Sequence, residues 1–202
     1  MEKADLAYLI GSLRDGCFTV DEKQKAYRIR IYQKSRAWLE KISDMLRKAF
    51  LKEPTFYLDK RRNVWCLTFS SKNAICELLS LSGYTFDQMI WLTPKWIYNE
   101  DLQIKAAYIR GFFDAEGSIE TNNVRIYIAQ ANKEVLEELR ELLKEFGINA
   151  SQIHGPYIKK GTRTKMYALL IHSKKRVLDF YAKIGSYHPD KISRFNRLQI
   201  PH

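Results

Sequence analysis

The pentapeptide Ala7-Tyr8-Leu9-Ile10-Gly11 returns 100 residues later as Ala107-Tyr108-Ile109-Arg110-Gly111. An internal repeat constrains a fold more than any local propensity, because both copies must solve the same packing problem. The match extends beyond the pentapeptide. Each copy is followed by an acid and a glycine, Asp15-Gly16 and Glu116-Gly117. Each then has a strand pattern closing on glutamine, RIRIYQKS at Gln33 and RIYIAQAN at Gln130. Periodicity predicts helices from about Arg36 to Leu51 and from about Lys133 to Phe146. Strand pairs follow at about 55–59 with 63–70 and at about 152–159 with 164–172. Ser71-Lys72 and Ser173-Lys174 then open another apolar helix in each half. The order is α-β-β-α-β-β-α, twice, with an N-terminal half over 1–92 and a C-terminal half over 104–202. The linker, 93–103, carries Pro94, which disfavours helix before it, and Asp101, a plausible helix cap.

Residues four apart share a helix face. Ala7 with Gly11, and Ala107 with Gly111, therefore make two small-residue stripes along which two helix backbones can approach closely. A pseudo-twofold axis is expected between them. Each helix ends in an acid and then a glycine, whose tolerance of the left-handed conformation suits a helix stop. Two carboxylates would then meet at the negative ends of two helix dipoles, an unfavourable placement unless a divalent cation lies between them. Oxygen-only ligation of that kind suits Mg²⁺. The plainer alternative makes Asp15 and Glu116 exposed helix-terminal acids. The copies also differ in length. Gly11 to Asp15 is four residues and Gly111 to Glu116 is five, so aligned glycines put Asp15 opposite Ala115. One α-helical residue is ~100° of rotation and ~1.5 Å of rise. Either the first helix tightens into a 3₁₀ turn, or the two ends are unequal.

Charge supplies the next constraint. Thirty-four Lys and Arg against 23 Asp and Glu give a net +11, which points to a polyanion such as nucleic acid unless it serves solubility alone. On the strand 26–34, Arg28, Arg30, Tyr32 and Lys34 share one face, while Tyr27, Ile29, Ile31 and Gln33 share the other. The second half repeats this with Val124, Ile126, Ile128 and Gln130 inward and Arg125 and Tyr127 outward. A basic and aromatic face without acids suits phosphate and base-edge contacts in a major groove, whereas a merely solvated face mixes signs. The hairpin tips Lys60-Arg61-Arg62, and Lys159-Lys160 with Arg163 and Lys165, would grip phosphates. Gln33 and Gln130 are polar on otherwise apolar faces and close their strands next to the point where the motif helices should end, where each could simply bond a backbone group or cap the next helix. Cys17, Cys66 and Cys76 form no CxxC pair and no even framework, so reduced thiols without structural zinc are expected. His154, His172, His188 and His202 show no metal-ligand spacing, and no Gly-rich pocket for ATP or another organic cofactor is seen. No apolar run nears the ~18 residues of a membrane span. Glu2 and Asp5 stand where a secretory leader is basic, so an intracellular protein of cytoplasm, nucleoid or organelle is expected, not a secreted one.

The segment AYIRGFFDAEGS, residues 107–118, resembles the defining motif of the LAGLIDADG homing endonucleases, and AYLIGSLRDGC, residues 7–17, is similar to a first copy. The two-copy layout over nearly the whole chain is similar to the monomeric members. The resemblance implies an α+β fold of two αββαββα halves, forming a saddle of two antiparallel sheets with the motif helices at the centre. It implies a monomeric, site-specific endonuclease acting on double-stranded DNA at a long asymmetric site. Cleavage would be metal-assisted phosphodiester hydrolysis leaving short 3′ overhangs. Asp15 and Glu116 would be the catalytic metal ligands, with Mg²⁺ as cofactor. Gln33 and Gln130 would order water, and a lysine would stand near the scissile phosphate. Lys191 is the first candidate, ahead of Lys72 and Lys174, with Gln88 at its counterpart in the first half. The alternative is an intron RNA-splicing maturase on the same scaffold, binding RNA without cleavage. A DNA-binding regulator ranks behind both.

Overall fold

The computed structural model describes residues 2–87, 89–158, 161 and 163–199. The first half runs α1 (Lys3–Ser12), a 3₁₀ turn (Leu13–Asp15), β1 (Gly16–Asp21), β2 (Ala26–Gln33), α2 (Arg36–Phe50), β3 (Thr55–Asp59), β4 (Val64–Ser70) and α3 (Lys72–Ser82). A one-turn helix, α4 (Lys95–Tyr98), stands in the connection. The second half runs α5 (Leu102–Glu116), β5 (Gly117–Glu120), β6 (Arg125–Gln130), α6 (Lys133–Glu145), β7 (His154–Ile158), β8 (Lys165–His172) and α7 (Lys174–Lys183). A further helix, α8 (Pro189–Gln199), was not anticipated and has no first-half counterpart among the described residues. No helix of the described residues is long and apolar enough to cross a membrane.

Local chemistry explains most boundaries. Ser35 caps α2 by accepting from Trp38 N at 3.3 Å, and Asn132 caps α6 by accepting from Glu134 N and Val135 N. Asp101 accepts from Ile104 N at 3.0 Å, so α5 starts where the sequence placed a cap. Ser71 caps α3, but Ser173 does not cap α7: it sits at φ +79° and its side chain makes no capping bond. The matched Ser-Lys pairs are therefore unequal helix starts.

Both sheets are antiparallel and share one topology, β1-β2-β4-β3 and β5-β6-β8-β7. Alternation along β2 and β6 sends Tyr27, Ile29 and Ile31, and Ile126 and Ile128, into two cores, leaving Arg28, Arg30, Tyr32, Arg125 and Tyr127 outside. One core joins sheet β1–β4 to α2 and α3 around Trp38, Ile42 and Leu78; the other joins sheet β5–β8 to α6, α7 and α8 around Leu139, Phe180 and Phe195. Helices α1 and α5 close the interface between halves. A Cβ added at Gly11 would fall on Tyr108 O and lie 2.7 Å from Phe112 N; one at Gly111 would fall on Tyr8 O and lie 2.9 Å from Ser12 N. The two small-residue stripes do pack backbone to backbone, and they do so symmetrically.

Candidate functional site

The register of the first hairpin in each half places the acids. Gly16 opposes Ile31, and Gly117 opposes Ile128. Each glycine thus stands opposite the isoleucine two residues before Gln33 or Gln130, and each acid directly precedes its glycine. Asp15 and Glu116 therefore occupy the same step relative to their sheets, although their helices differ by one residue. The 3₁₀ turn absorbs the difference. Three 3₁₀ residues rise ~6 Å and turn ~360°, while four α residues rise ~6 Å and turn ~400°. Leu13–Asp15 covers in three residues what 113–116 covers in four, with a rotational mismatch of only ~40°. The placement of Asp15 opposite Ala115 holds for residue counting and is corrected by the pitch of the turn.

The glycines after the acids do not serve as left-handed stops. Gly16 has φ −98° and Gly117 φ −86°, both extended. What excludes a side chain there is space. A Cβ at Gly16 would lie 2.9 Å from Leu13 O, and one at Gly117 would run into the Phe113 ring and lie 2.8 Å from Phe113 O. The chain turns from helix to strand so sharply that only glycine fits, and the sharp turn keeps each acid at the helix end.

The two carboxyls are held in mutual conflict. Burial pushes Asp15 up to about 6, with a hydrogen bond from Gln33 and the charge of Lys191 pulling it back. Burial and then the charge of Asp15 push Glu116 up to about 7, against Arg14, Gln130 and Lys191. Gln33 Nε2 donates to Asp15 Oδ2 at 3.0 Å while its Oε1 accepts from Lys34 N at 2.9 Å. Gln130 is buried beside Glu116. Both glutamines thus serve the acids, so the structure brings four of the five sequence-selected groups together from two halves.

Lys191 is the fifth. It enters from α8, is buried, and its Nζ donates to Phe113 O at 2.5 Å and Asp114 O at 2.7 Å, capping the last turn of α5. Burial pulls its ammonium down to about 8, opposed by the charges of Asp114, Glu116 and Asp15. Beside it a cleft of about 190 Å³ is lined by Gln33, Lys34, Gly117, Lys191 and Arg194 among others. The other lysine candidates lie elsewhere. Lys72 sits 5.1 Å from the Tyr27 ring near the far hairpin, and Lys174 is exposed at the start of α7. Gln88 lies outside the described residues, as do Lys159, Lys160 and His202. Of the other histidines, His154 and His172 are exposed, and His188 is buried against Trp38 at 5.6 Å between ring centroids.

Sequence reading missed a buried polar frame behind the acids. Asp114 is fully buried and accepts from Tyr8 Oη at 2.8 Å, Tyr187 N at 2.8 Å and Ser186 Oγ. Arg14 is buried and donates to Trp91 O at 2.7 Å and Leu92 O at 3.0 Å, with its guanidinium 3.9 Å over the Trp91 ring. Their shared spacing from Gly11 and Gly111 was the available signal.

The outer faces of the sheets hold the remaining selected residues. Arg28, Arg30 and Tyr32 lie together on β2, with Tyr32 Oη 3.1 Å from Tyr57 Oη, and Lys34 follows the strand end, exposed. Arg61 and Arg62 are exposed at the β3–β4 turn, and Arg163 and Lys165 at the β7–β8 turn. Arg125 differs from expectation: its guanidinium is engaged by Glu120 at 2.8 and 3.0 Å, which removes it from the unopposed positive face.

The donor set fits a hard divalent cation. Two half-buried carboxylates and nearby amide and carbonyl oxygens are oxygen donors, and the repulsion between the acids is what such a cation relieves. Among the described residues no group of three or more His, Cys, Asp or Glu could hold a metal, so the remaining ligands would be water, carbonyl or phosphate, as Mg²⁺ prefers.

Comparison with known proteins gives an independent line. Residues 103–185 match the model of a LAGLIDADG-like domain, and residues 7–90 that of the WhiA LAGLIDADG-like domain. The chain is 27% identical over 205 residues to homing endonuclease I-ApeI of Aeropyrum pernix, covering 98% of this chain and 88% of that protein. The structure of I-DmoI in complex with DNA and Mn shares the fold with a TM-score of 0.67 at 22% identity, over 92% of this chain and 98% of that one. Full-length DUF199/WhiA from Thermatoga maritima shares it at 0.63 and 19% identity, over 98% of this chain but 60% of that one.

Proposed function

Because the chain belongs to the two-motif LAGLIDADG family, we propose that it is a site-specific, metal-dependent endonuclease that cuts both strands of a long asymmetric DNA site and leaves short 3′ overhangs. The observation that carries this reading is the equivalent placement of Asp15 and Glu116 at the base of the α1–α5 pair, each with its own glutamine, despite a one-residue difference between the motifs. A structural pair of acids has no need of a compensating 3₁₀ turn. The homing endonuclease I-ApeI, similar over nearly the full chain, supports it.

Asp15 and Glu116 would hold the divalent cation, which supplies positive charge to a phosphate oxygen and acidifies water when bound. The chain's own residues do the rest. Gln33 and Gln130 orient the carboxylates and present amide groups to water entering between protein and phosphate. Lys191 holds the end of α5 in place and adds positive potential beside both acids, where charge develops on the phosphate. Arg28, Arg30, Tyr32, Lys34 and Tyr127 face the bases, while Arg61, Arg62, Arg163, Lys165, Lys159 and Lys160 neutralise backbone phosphates. One chain supplies both halves of the site, so it acts as a monomer, and a DNA substrate would place it inside the cell.

The test is incubation of the purified protein with Mg²⁺ and the uninterrupted allele of the gene that houses its reading frame, with the ends mapped. A single double-strand break is expected. Retention of the DNA without any break would overturn the endonuclease reading, and selective retention of intron RNA in its place would establish the maturase alternative.

A further inference from the structure

The two sheets keep the same inner face and differ on the outer one. Their shared register pairs each position of one with a position of the other: Gln33 opposes Trp65 as Gln130 opposes Tyr167, and Arg28 opposes Ser70 as Arg125 opposes His172. Inner positions repeat nearly unchanged, Ile29 with Ile126, Ile31 with Ile128 and Leu67 with Leu169, all buried. Outer positions do not. Arg30 becomes Tyr127, Tyr32 becomes Ala129, Cys66 becomes Ala168 and Thr68 becomes Leu170.

Where both sheets carry arginine, the neighbours differ. Arg28 lies opposite Thr19, whereas Arg125 lies opposite Glu120 and is bound to it through two nitrogens. The N-terminal sheet therefore presents two guanidiniums, Arg28 and Arg30, neither with an acidic partner among the described residues. The C-terminal sheet presents Tyr127 and Ala129 at the corresponding places, over a buried apolar layer of Ala168 and Leu170, with the half-buried Met166 at its edge. Ala168 and Leu170 are buried yet belong to neither core; they lie on the outer face under their neighbours. All these side chains stand on β2, β4, β6 and β8, the two inner strands of each sheet.

Resting on the DNA-binding reading above, we propose that the two halves of the target differ in composition and that this chain sets the difference. Under the N-terminal sheet the site carries guanines, read by Arg28 and Arg30. Under the C-terminal sheet it is rich in A·T pairs, whose thymine methyl groups pack on the accessible side chains of Ala129 and Met166. The chemistry is that of the groove edge: a guanidinium fork matches the O6 and N7 acceptors of guanine, and the C5 methyl of thymine is the apolar group in the major groove.

The experiment is a binding selection from a pool of random duplexes with the full chain in the absence of divalent cations, followed by sequencing. One half of the enriched sequence should carry guanines and the other runs of T·A. Duplexes enriched with guanines in both halves, or with no base preference under either sheet, would overturn the proposal. Addition of Mg²⁺ to the retained duplexes tests the endonuclease reading separately, because composition is read without cleavage. Orientation is assigned with the unmodified protein. Replacing the selected guanines by 7-deazaguanine should weaken binding about tenfold through loss of the N7 acceptor. Replacing thymines by deoxyuridine, which lacks the methyl, should cost about fourfold per contacted base, and only in the other half. Arg30→Ala should flatten the guanine preference alone, and Ala129→Ser the thymine preference alone. Equal sensitivity of both halves to deoxyuridine, or loss of thymine preference on Arg30→Ala, would also overturn it.

Discussion

Arg14 and Asp114 occupy the same step of their repeats, three residues after Gly11 and Gly111, and hold equivalent loops with opposite charge. Arg14 donates to the carbonyls of Trp91 and Leu92 after α3; Asp114 accepts from Ser186 and from Tyr187 N after α7. Each pins the segment that leaves its half to the end of its motif helix. The pair explains why the acids, one or two residues further on, hold a fixed position although they end helices. Asp114→Asn keeps one acceptor oxygen but turns an N–H₂ group toward donors that need acceptors. It should destabilise the protein by about 1–3 kcal/mol, read as a lower urea midpoint at unchanged slope. Parent-like stability would show that the buried frame is dispensable.

The two acids themselves should weigh against folding at neutral pH. Folded-state values of about 6 for Asp15 and about 7 for Glu116 lie above those of an unfolded chain. Between roughly pH 4 and 7 the native state holds more protons, so metal-free stability falls as pH rises through that window and levels off above it. Glu116→Gln removes the larger share. At pH 8 without divalent cation the variant should melt above the parent, by an amount on the order of 2 kcal/mol, and the gap should close near pH 4. Added Mg²⁺ should raise the parent's melting temperature and leave the variant's nearly unmoved. The same variant should lose cleavage and retain DNA binding within a few-fold, since affinity rests on the Lys and Arg contacts. Full cleavage by Glu116→Gln would sink the site assignment.

What the sequence made legible follows from periodicity and from repetition. Alternation exposed the inner and outer faces of β2 and β6, and the displaced pentapeptide exposed the helix pair, because both are patterns of residue type at fixed spacing. The acid–glycine ends were visible for the same reason. What stayed hidden was long-range or geometric. Asp114 bonds Tyr8 and Ser186, 106 and 72 residues away, and a charge reversal at Arg14 disguised the equivalence. Lys191 could be picked as a lysine but not seen to cap α5, because α8 itself broke the repeat. Counting residues from Gly11 to Asp15 gave the shortfall but not the pitch that cancels it.

The glycine pair sets the distance between the halves. A methyl group at Gly111 meets the Tyr8 carbonyl and Ser12 N across the interface, and one at Gly11 meets the Tyr108 carbonyl and Phe112 N; all are backbone atoms that no rotamer change can clear. Gly111→Ala should cost about 1–3 kcal/mol and lower the melting temperature by roughly 2–10 °C, although alanine is the better helix former. Separating α1 from α5 also separates the acids, so cleavage should fall by more than DNA binding does. A variant as stable as the parent would mean that these helices do not meet through this face.

The 3₁₀ turn offers the sharpest test, because insertions at adjacent places should have different outcomes. Placing one Ala between Arg14 and Asp15 recreates the second motif: Leu13, Arg14, the new Ala and Asp15 would then match Phe113, Asp114, Ala115 and Glu116 in order. The turn can relax to a regular α-helix, keeping the rise at ~6 Å and moving Asp15 by only ~40°. Arg14 keeps its place over Trp91. This variant should fold with parent-like stability and cut both strands. Placing the Ala between Leu13 and Arg14 also restores the five-residue spacing, but it moves Arg14 to the step of Ala115, ~100° from its carbonyl partners. That leaves Trp91 O and Leu92 O without their donor and withdraws the guanidinium from the Trp91 ring, so this second variant should lose about 1–3 kcal/mol and much of its activity. The measurements are thermal melting and the nicking rate of each labelled strand for the parent and both insertions. If the two insertions behave alike, in either direction, the acid is not positioned by the helix pitch and the strand register.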